Sequence, residues 1–290
     1  MEIPPFPASR PLSLADKPVF DALFEELQPN VSELTFAGLY LFRLAHVYHV
    51  TMVAGSLVVL GKGYDSADYF LPPLGGNIAE ALKVMFAGGH MLYGADDLFT
   101  DTYITGKTVQ ITELRDSFDY VYLREELATL PGSRFHKKRN RIKYFTSRHD
   151  YSVDLFSSKH LSGCLELLDT WFQVYRSESG TSLAMEVEAT IEALHSSEAL
   201  GLSGVVVIIN NCVVAFSLGE HLNRDTAVCH FEKADPFTEG LYQLVNREFA
   251  RLLFLDCLYV NREQDLGDPG LRTAKLSYHP VKLVKKYSIK

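Results

Sequence analysis

The sequence predicts an α+β protein that contains two copies of one structural unit. Two observations support this fold class. β-branched runs bounded by Gly, Pro or Asn alternate with segments of 3.6-residue apolar period, so strands and helices are mixed along the chain. One element order also occurs twice: a three-strand meander, a break, a helix and a return strand. Each copy is therefore expected to form a mixed, mainly antiparallel sheet flanked by helices.

The first copy is predicted in the N-terminal half. Its helices show apolar residues on one face, its strands are β-branched, and a Pro- and Gly-rich break separates the meander from the second helix. In chain order the predicted elements are a helix at 16–27, strands at 47–54, 56–60 and 68–71, a helix at 77–87 and a strand at 90–93.

The second copy is predicted in the C-terminal half. Asn210 and Asn211 join its first two strands, and this dipeptide tolerates the positive φ of a hairpin turn. Two helices, at 159–175 and 182–195, precede the meander. The remaining predicted elements are strands at 204–209, 213–218 and 226–231, a helix at 241–253 and a strand at 257–260.

This element order is that of the acetyltransferase-type fold called GNAT, so two tandem GNAT-like domains are expected. Residues 1–132 are predicted to form the N-terminal domain. Residues 133–150 are predicted to form a basic connecting helix, and residues 151–290 a C-terminal domain that carries the active site.

The charge is unevenly distributed. A net charge of −8 over 290 residues argues against a general nucleic-acid binder. However, residues 134–148 contain seven basic and no acidic side chains, and residues 271–290 contain six basic side chains and again no acidic ones. These segments suggest that an anionic ligand is held locally. The alternative is two solvated faces without a ligand.

Other motifs are absent or weak. The cysteines Cys164, Cys212, Cys229 and Cys257 form no C-x-x-C pair, so buried, reduced thiols and no zinc site are expected. No apolar run approaches the roughly 20 residues of a membrane helix, and the N-terminal residues lack the pattern of a signal peptide. A cytoplasmic protein without an integral membrane segment is therefore expected.

The third strand of the second copy carries the candidate catalytic residues. In an extended strand His230 and Glu232 share one face, while Lys233 lies on the other. If the first face borders a cleft, Glu232 or His230 could accept a proton from an attacking amine or hydroxyl. Lys233 is the third candidate. The alternative is a solvent-exposed strand face with ordinary ion pairs.

The loop after this strand is the candidate donor site. In GNAT folds the N-terminus of the following helix offers free backbone N–H groups to a phosphate. Here the loop reads ADPFTEGLYQ, and Asp235, Gly240 and Tyr242 are its candidate cofactor-binding residues. The Gln/Arg-x-x-Gly-x-Gly/Ala pattern of acyl-coenzyme A sites is absent. No tightly bound cofactor is expected, and coenzyme A or aminoacyl-tRNA remain as donor substrates.

The segment 261–280, NREQDLGDPGLRTAKLSYHP, follows the predicted return strand. Arg262, Arg272 and Lys275 could converge on a carboxylate or phosphate. The alternative is an ion-pair network in which neighbouring acidic residues neutralise these bases and fix the loop. Those acidic residues are Glu263, Asp265 and Asp268.

Four segments together resemble a bacterial family related to the C-terminal domain of phosphatidylglycerol lysyltransferases. They read ELTFAGLYLFR, LPGSRFHKKRN, HFEKAD followed by Gly-Leu-Tyr, and the segment 261–280. The resemblance implies two tandem GNAT-like domains, as in the Fem-type aminoacyltransferases, and transfer of an aminoacyl group from tRNA to a lipid or peptide. Lys233 and Asp235 loosely match an arginine and an aspartate of the lipid-modifying synthases.

Two hypotheses follow for function. The first is an acyl- or aminoacyltransferase that moves an acyl group from aminoacyl-tRNA or acyl-CoA to an amine or hydroxyl of a small-molecule or lipid acceptor. The alternative is a non-catalytic module that binds an anionic metabolite or tRNA. In either case tRNA would contact the basic segment through the cationic side chains Arg134, Lys137, Lys138, Arg139 and Arg141.

Overall fold

The computed structural model describes residues 2–63, 67–106, 108–176 and 181–290. It divides into two compact units. The first contains Met1–Tyr120, Gln264–Arg272 and Leu283–Lys290, and the second contains Val121–Glu263 and Thr273–Lys282. Among the described residues, no helix is both long and apolar enough to cross a lipid bilayer.

The first unit is built on a seven-stranded sheet with the order β1-β2-β3-β4-β5-β14-β6. Strands β2, β3 and β4 form an antiparallel meander, and β5 returns parallel to β4 after helix α3. The elements are β1 (Arg10–Pro11), α1 (Lys17–Leu27), α2 (Phe36–Leu41), β2 (His49–Val53), β3 (Ser56–Lys62), β4 (Asp68–Phe70), α3 (Ile78–Ala87), β5 (Met91–Ala95), α4 (Asp97–Tyr103), β6 (Ile111–Glu113) and, near the end of the chain, β14 (Tyr287–Ile289).

The core of this unit lies between α3 and its sheet. Leu82 and Met85 of α3 pack with Phe70 of β4 and Leu92 of β5, and all four are fully buried. Ile289 of β14 joins the same cluster. The apolar spacing of α3 therefore buries one helix face against the sheet, as its 3.6-residue period predicts.

The second unit is built on a seven-stranded sheet with the order β13-β7-β12-β11-β10-β9-β8. Strands β9, β10 and β11 form the antiparallel meander, and β12 returns parallel to β11 after α10. The elements are β7 (Asp119–Leu123), α5 (Arg124–Thr129), α6 (His136–Thr146), β8 (Ser152–Leu155), α7 (Leu161–Tyr175), α8 (Thr181–His195), α9 (Ser197–Leu200), β9 (Ser203–Ile209), β10 (Cys212–His221), β11 (Thr226–Ala234), α10 (Leu241–Leu252), β12 (Tyr259–Asn261), α11 (Pro269–Leu276) and β13 (Lys282–Val284). Three of them, β7, α11 and β13, also contain residues that belong to the first unit.

Both units thus contain the predicted meander, helix and parallel return strand, which confirms the α+β prediction. The predicted hairpin is also present. Asn210 and Asn211 have φ values of 50° and 65°, and they connect Ile209 to its partner Cys212. Two consecutive positive φ values are those of a type I′ turn, which matches the twist of the strands that it joins.

The division of the chain differs from the predicted boundaries. The sequence predicts a second domain that runs without interruption from residue 151 to 290, after a boundary at 132. In the structure the boundary lies at Tyr120, and the last residues return to the first unit. The physical reason is strand pairing, because β14 is inserted between β5 and β6.

A buried ion-pair network fixes this return in the first unit. Lys286 and Asp119 are both 0% exposed, and the Lys286 Nζ lies 2.7 Å from Asp119 Oδ1. Lys286 also pairs with Glu33, and Ser32 donates to Asp119 through its backbone N–H and its hydroxyl. Burial alone would lower the pKa of Lys286, but the charges of Asp119 and Glu33 raise it above its usual value.

We expect Lys286→Met to destabilise the first unit by about 3–5 kcal/mol, because it leaves the buried Asp119 carboxylate without its cationic partner. Urea unfolding measures this change. The matched control is Lys285→Met, since Lys285 is 45% exposed and pairs with Glu113 on the surface. That substitution should cost less than about 1 kcal/mol. Equal effects of the two substitutions would contradict this account.

Candidate active site

The candidate site lies at an opening between two parallel strands of the second unit, β11 and β12. β11 and β12 pair at three positions only, from Thr226 with Tyr259 to Val228 with Asn261. β12 then ends, whereas β11 continues to Ala234. Among the described residues, β11 therefore has no strand partner on this side beyond Val228, and the side chains of Arg262 and Glu263 reach across to it.

Glu232 and Arg262 form an ion pair across this opening. Arg262 Nη2 lies 3.0 Å from Glu232 Oε1, and Asn246 of α10 donates to Glu232 Oε2 at 3.1 Å. The two charged side chains are 14% and 13% exposed, so the pair is largely desolvated but still reachable. A carboxylate held in one orientation by two donors can interact with a proton or a cation of a substrate in a defined geometry.

His230 forms a second ion pair across the same opening. Its Nδ1 lies 2.7 Å from Glu263, and its Nε2 lies 2.9 Å from Glu220 of β10. Burial alone would lower the pKa of His230, but the hydrogen bonds and negative charges of the two glutamates raise it to about 10. At neutral pH the ring therefore has two N–H donors. This state is contrary to the predicted role of His230 as a proton acceptor.

The ring of Tyr278 lies beside Arg262 of this pair and beside one further cation, Lys138. The Arg262 guanidinium is 5.1 Å from the ring centroid, and the Lys138 Nζ is 4.0 Å from it. Lys138 also donates to Ser277 Oγ at 2.6 Å. Burial, and then the charges of Arg262 and Arg141, lower the pKa of Lys138 to about 8. This amine therefore titrates near neutral pH.

Lys233 contacts a different set of residues, on α7 and α8. Its Nζ pairs with Glu186 and lies 3.9 Å from the ring centroid of Trp171. Trp171 Nε1 donates to the hydroxyl of Tyr242 at 2.7 Å. Trp171 thus contacts both Lys233 and Tyr242, which the sequence predicts as site residues. Within the described part of the chain, no hydrogen bond, ion pair or ring contact joins either of them to the Glu232–Arg262 pair.

The strand-to-helix loop packs against α6 at Gly240, which leaves less space for an anion than the predicted site would need. Gly240 has φ +90°, and a Cβ at this position would lie 2.2 Å from the carbonyl oxygen of Arg141 in α6. Glycine is therefore needed here for its positive φ and for close helix packing. Asp235 accepts from the backbone N–H of Phe237 and the hydroxyl of Thr238, so its carboxylate stabilises the turn.

The three bases of segment 261–280 do not converge on one free anion site. In the first unit Arg272 binds the fully buried Asp265 through Nε at 2.8 Å and Nη2 at 2.7 Å, and its Nη2 also binds Asp116. Burial alone would raise the pKa of Asp265, but the hydrogen bonds from Arg272 and Tyr120 lower it well below its usual range. These contacts match the ion-pair alternative.

In the second unit Lys275 is buried and donates to the backbone carbonyls of Arg262 and Glu263, at 2.6 and 3.1 Å. Lys275 therefore supports the two residues that reach across the opening. Its predicted contact with an anionic ligand is not compatible with these two backbone contacts, because the ammonium group is already buried among carbonyls.

The basic segment forms helix α6, which lies within the second unit and does not connect two units as the sequence predicts. Its cations have different environments. Arg134 pairs with Glu126, and Arg139 donates to the carbonyls of Leu130 and Gly132. Lys137 and Arg141 are exposed. Of the five predicted tRNA contacts, Lys138 and Arg139 are half-buried, and Arg134 is exposed like Lys137 and Arg141 but pairs with Glu126.

Sequence reasoning missed Asn246 and Tyr278 as parts of the site, and also Tyr122, whose ring centroid lies 5.8 Å from the Arg262 guanidinium. It assigned Lys138 only to tRNA binding. Asn246 is a buried polar residue on the apolar face of α10, and such a position could have signalled a specific partner. The tyrosines and Lys138 gave no comparable signal, because they come from separate parts of the chain.

We expect the pKa of His230 to make stability depend on pH. A folded-state pKa of about 10, above the unfolded value of about 6.5, stabilises the fold fully below pH 6.5 and progressively less as pH rises toward 10. Relative to His230→Gln, the wild type should lose about 1.4 kcal/mol of unfolding free energy per pH unit in this interval. The exposed His136→Gln variant is the control. Parallel curves for wild type and His230→Gln would contradict the assignment.

Comparison with solved structures supports the fold. A conserved protein of unknown function from Bacteroides thetaiotaomicron is 32% identical, with a TM-score of 0.88, and the match covers 97% of this chain and 98% of that one. L-PGS from Bacillus licheniformis is 14% identical, with a TM-score of 0.64, over 100% of this chain and 93% of that one. The predicted GNAT-like architecture is confirmed.

A curated relative matches a smaller region. An uncharacterised protein of Mycoplasmoides gallisepticum is 22% identical over 176 residues, which is 60% of this chain. The match spans only 56% of the length of that relative. Residues 24–290, nearly the whole sequence, match the family model described as phosphatidylglycerol lysyltransferase, C-terminal. The chain therefore belongs to this family of lysyltransferase C-terminal domains.

Proposed function

We propose that the protein is an aminoacyltransferase that moves an aminoacyl group from tRNA to an amine or hydroxyl of an acceptor. The observation that carries the proposal is the Glu232 carboxylate, which Arg262 and Asn246 hold at the open side of β11. Membership of a family named for lysyl transfer to a lipid supports the reaction class.

The proposed step uses one proton acceptor and one proton donor. The attacking amine or hydroxyl of the acceptor substrate forms a bond to the ester carbonyl carbon of the aminoacyl-tRNA. It gives its proton to Glu232. The bond from that carbon to the ribose oxygen breaks, and the ammonium group of Lys138 gives a proton to the leaving oxygen. A pKa of about 8 suits this exchange, because both forms of Lys138 are then populated at working pH.

The donor is proposed to be aminoacyl-tRNA in preference to acyl-CoA. The backbone of α6 lies against Gly240, and the carboxylate of Asp235 lies in the same loop. A pyrophosphate would meet a filled space and a negative charge there. By contrast, Lys137 and Arg141 on α6 are exposed cations, which suit contact with the phosphates of tRNA.

We expect Glu232→Gln to lower the transfer rate at least about 100-fold, because the amide keeps the shape but cannot accept a proton. The variant also removes the charge that faces Arg262, so some loss of stability is expected, and circular dichroism verifies that the protein remains folded at the assay temperature. The assay follows radiolabelled lysine from lysyl-tRNA into vesicles of phosphatidylglycerol. A parallel reaction with acetyl-CoA and a primary amine measures free thiol. The matched control is Glu239→Gln, since Glu239 is an exposed acid of the loop before α10.

The lysyl-tRNA assay and the acetyl-CoA assay test different parts of the proposal. Label in lipid that disappears in Glu232→Gln supports both the reaction and its site. Activity that survives in Glu232→Gln contradicts the site, and thiol release from acetyl-CoA without transfer from lysyl-tRNA contradicts the proposed donor.

The second candidate function is a non-catalytic tRNA-binding module, which the exposed cations Lys137 and Arg141 of α6 favour as much as they favour a transferase. We expect the double variant Lys137→Gln, Arg141→Gln to weaken tRNA binding and to reduce the slope of log K against log salt by up to about 2. Lys83→Gln, an exposed lysine of α3, is the control. Equal slopes for the double variant and the wild type would argue against tRNA contact through α6.

A further inference from the structure

A second group of polar side chains in the second unit lies near the end of β10 and the start of β11, away from Glu232. It consists of His221, Asp256 and Cys257, whose nitrogen, oxygen and sulfur ligand atoms all lie within 4.8 Å of one another. His221 pairs with Ala227 near the start of β11, whereas Glu232 pairs with Ser217. The two groups are therefore separated by five residues of β11, about 16 Å along the strand.

The backbone positions of this group are fixed by the surrounding structure. His221 ends β10, and its ring packs edge-on against Phe254 with 4.9 Å between the ring centroids. The backbone N–H of Cys257 donates to the carbonyl of Phe254 at 2.9 Å, and Arg124 Nε donates to the carbonyl of Cys257 at 3.1 Å. The backbone that carries these side chains is therefore in place before any ligand binds, which lowers the cost of binding.

The ligand types indicate which cation would bind. A thiol, an imidazole and a carboxylate suit Zn²⁺, whereas Mg²⁺ and Ca²⁺ require oxygen ligands. Tetrahedral zinc with bonds of about 2.0–2.3 Å places its ligand atoms roughly 3.3–3.8 Å apart. His221 Nε2 already lies 3.0 Å from Asp256 Oδ2, and only the thiol has to approach.

The exposure of the group provides a route for the ion. His221 and Asp256 are 50% and 69% exposed, while Cys257 is buried beneath them. An ion could enter from the solvent side, displace the proton of the thiol into water and bind the thiolate. Three protein ligands leave one position of a tetrahedral site for a water molecule or another ligand.

We propose that His221, Asp256 and Cys257 form a zinc site with one open coordination position, which links the end of β10 to the segment before β12. The sequence predicts no zinc site, because His221 and Asp256 are 35 residues apart and match no ligand-spacing motif. The fold alone brings them together.

The test uses Co²⁺ as a spectroscopic substitute for zinc. Protein freed of metal with a chelator is titrated with cobalt chloride, and the thiolate-to-cobalt absorption band is followed. We expect one equivalent to bind and Zn²⁺ to displace it. Cys257→Ser should abolish the band, while Asp256→Asn and His221→Asn should weaken binding at least about tenfold.

The controls address folding and adventitious thiol binding. Asp256 and His221 are surface residues, so their variants are expected to remain folded, as circular dichroism would verify. Cys212→Ser is the matched control, because Cys212 is the exposed thiol among the four cysteines. No cobalt band in the wild type would overturn the proposal, as would a band that persists in Cys257→Ser; His221 and Asp256 would then form only a surface ion pair.

Discussion

The short pairing between β11 and β12 is the constraint on which the candidate site depends. The strands share only three paired positions, so β11 continues beyond Val228 without β12 beside it, and side chains reach across the opening. Arg262 and Glu263, the first residues after β12, supply them by reaching to Glu232 and His230. The site therefore arises from a gap in the sheet, and not from an added loop.

The two ion pairs that cross this gap have opposite polarity. β11 supplies a base at His230 and an acid at Glu232, and the segment after β12 supplies the acid Glu263 and the base Arg262. Each buried charge thus faces an opposite charge, which offsets the desolvation that either would suffer alone. Lys275 holds the backbone of both bridging residues. The two β11 side chains differ in their environment: His230 is 1% exposed between two carboxylates, whereas Glu232 is 14% exposed.

Local patterns predicted most of the fold. The apolar period of α10 and the Asn210–Asn211 turn each depend on near neighbours, so the sequence contains the necessary information. β14 could not be predicted in this way, because it is three residues long and its partners lie far away in the chain.

The candidate site was only partly predictable for the same reason. Glu232 was identified from strand alternation, but the charge state of His230 depends on Glu220 and Glu263, which approach it from two other segments. Likewise, Arg272 is neutralised in part by Asp116, a partner 156 residues away. Long-range ion pairs decide which bases are available, and sequence spacing does not reveal them.

The position of Lys286 also has a consequence for biosynthesis. β14 fills the place between β5 and β6 in the first sheet, and Lys286, the residue before it, neutralises Asp119. The ribosome therefore has to synthesise the entire second unit before the first sheet can be completed. Until then Asp119 lacks its cation and the facing edges of β5 and β6 lack their shared strand, so the N-terminal half is expected to depend on delayed folding or on chaperones during translation.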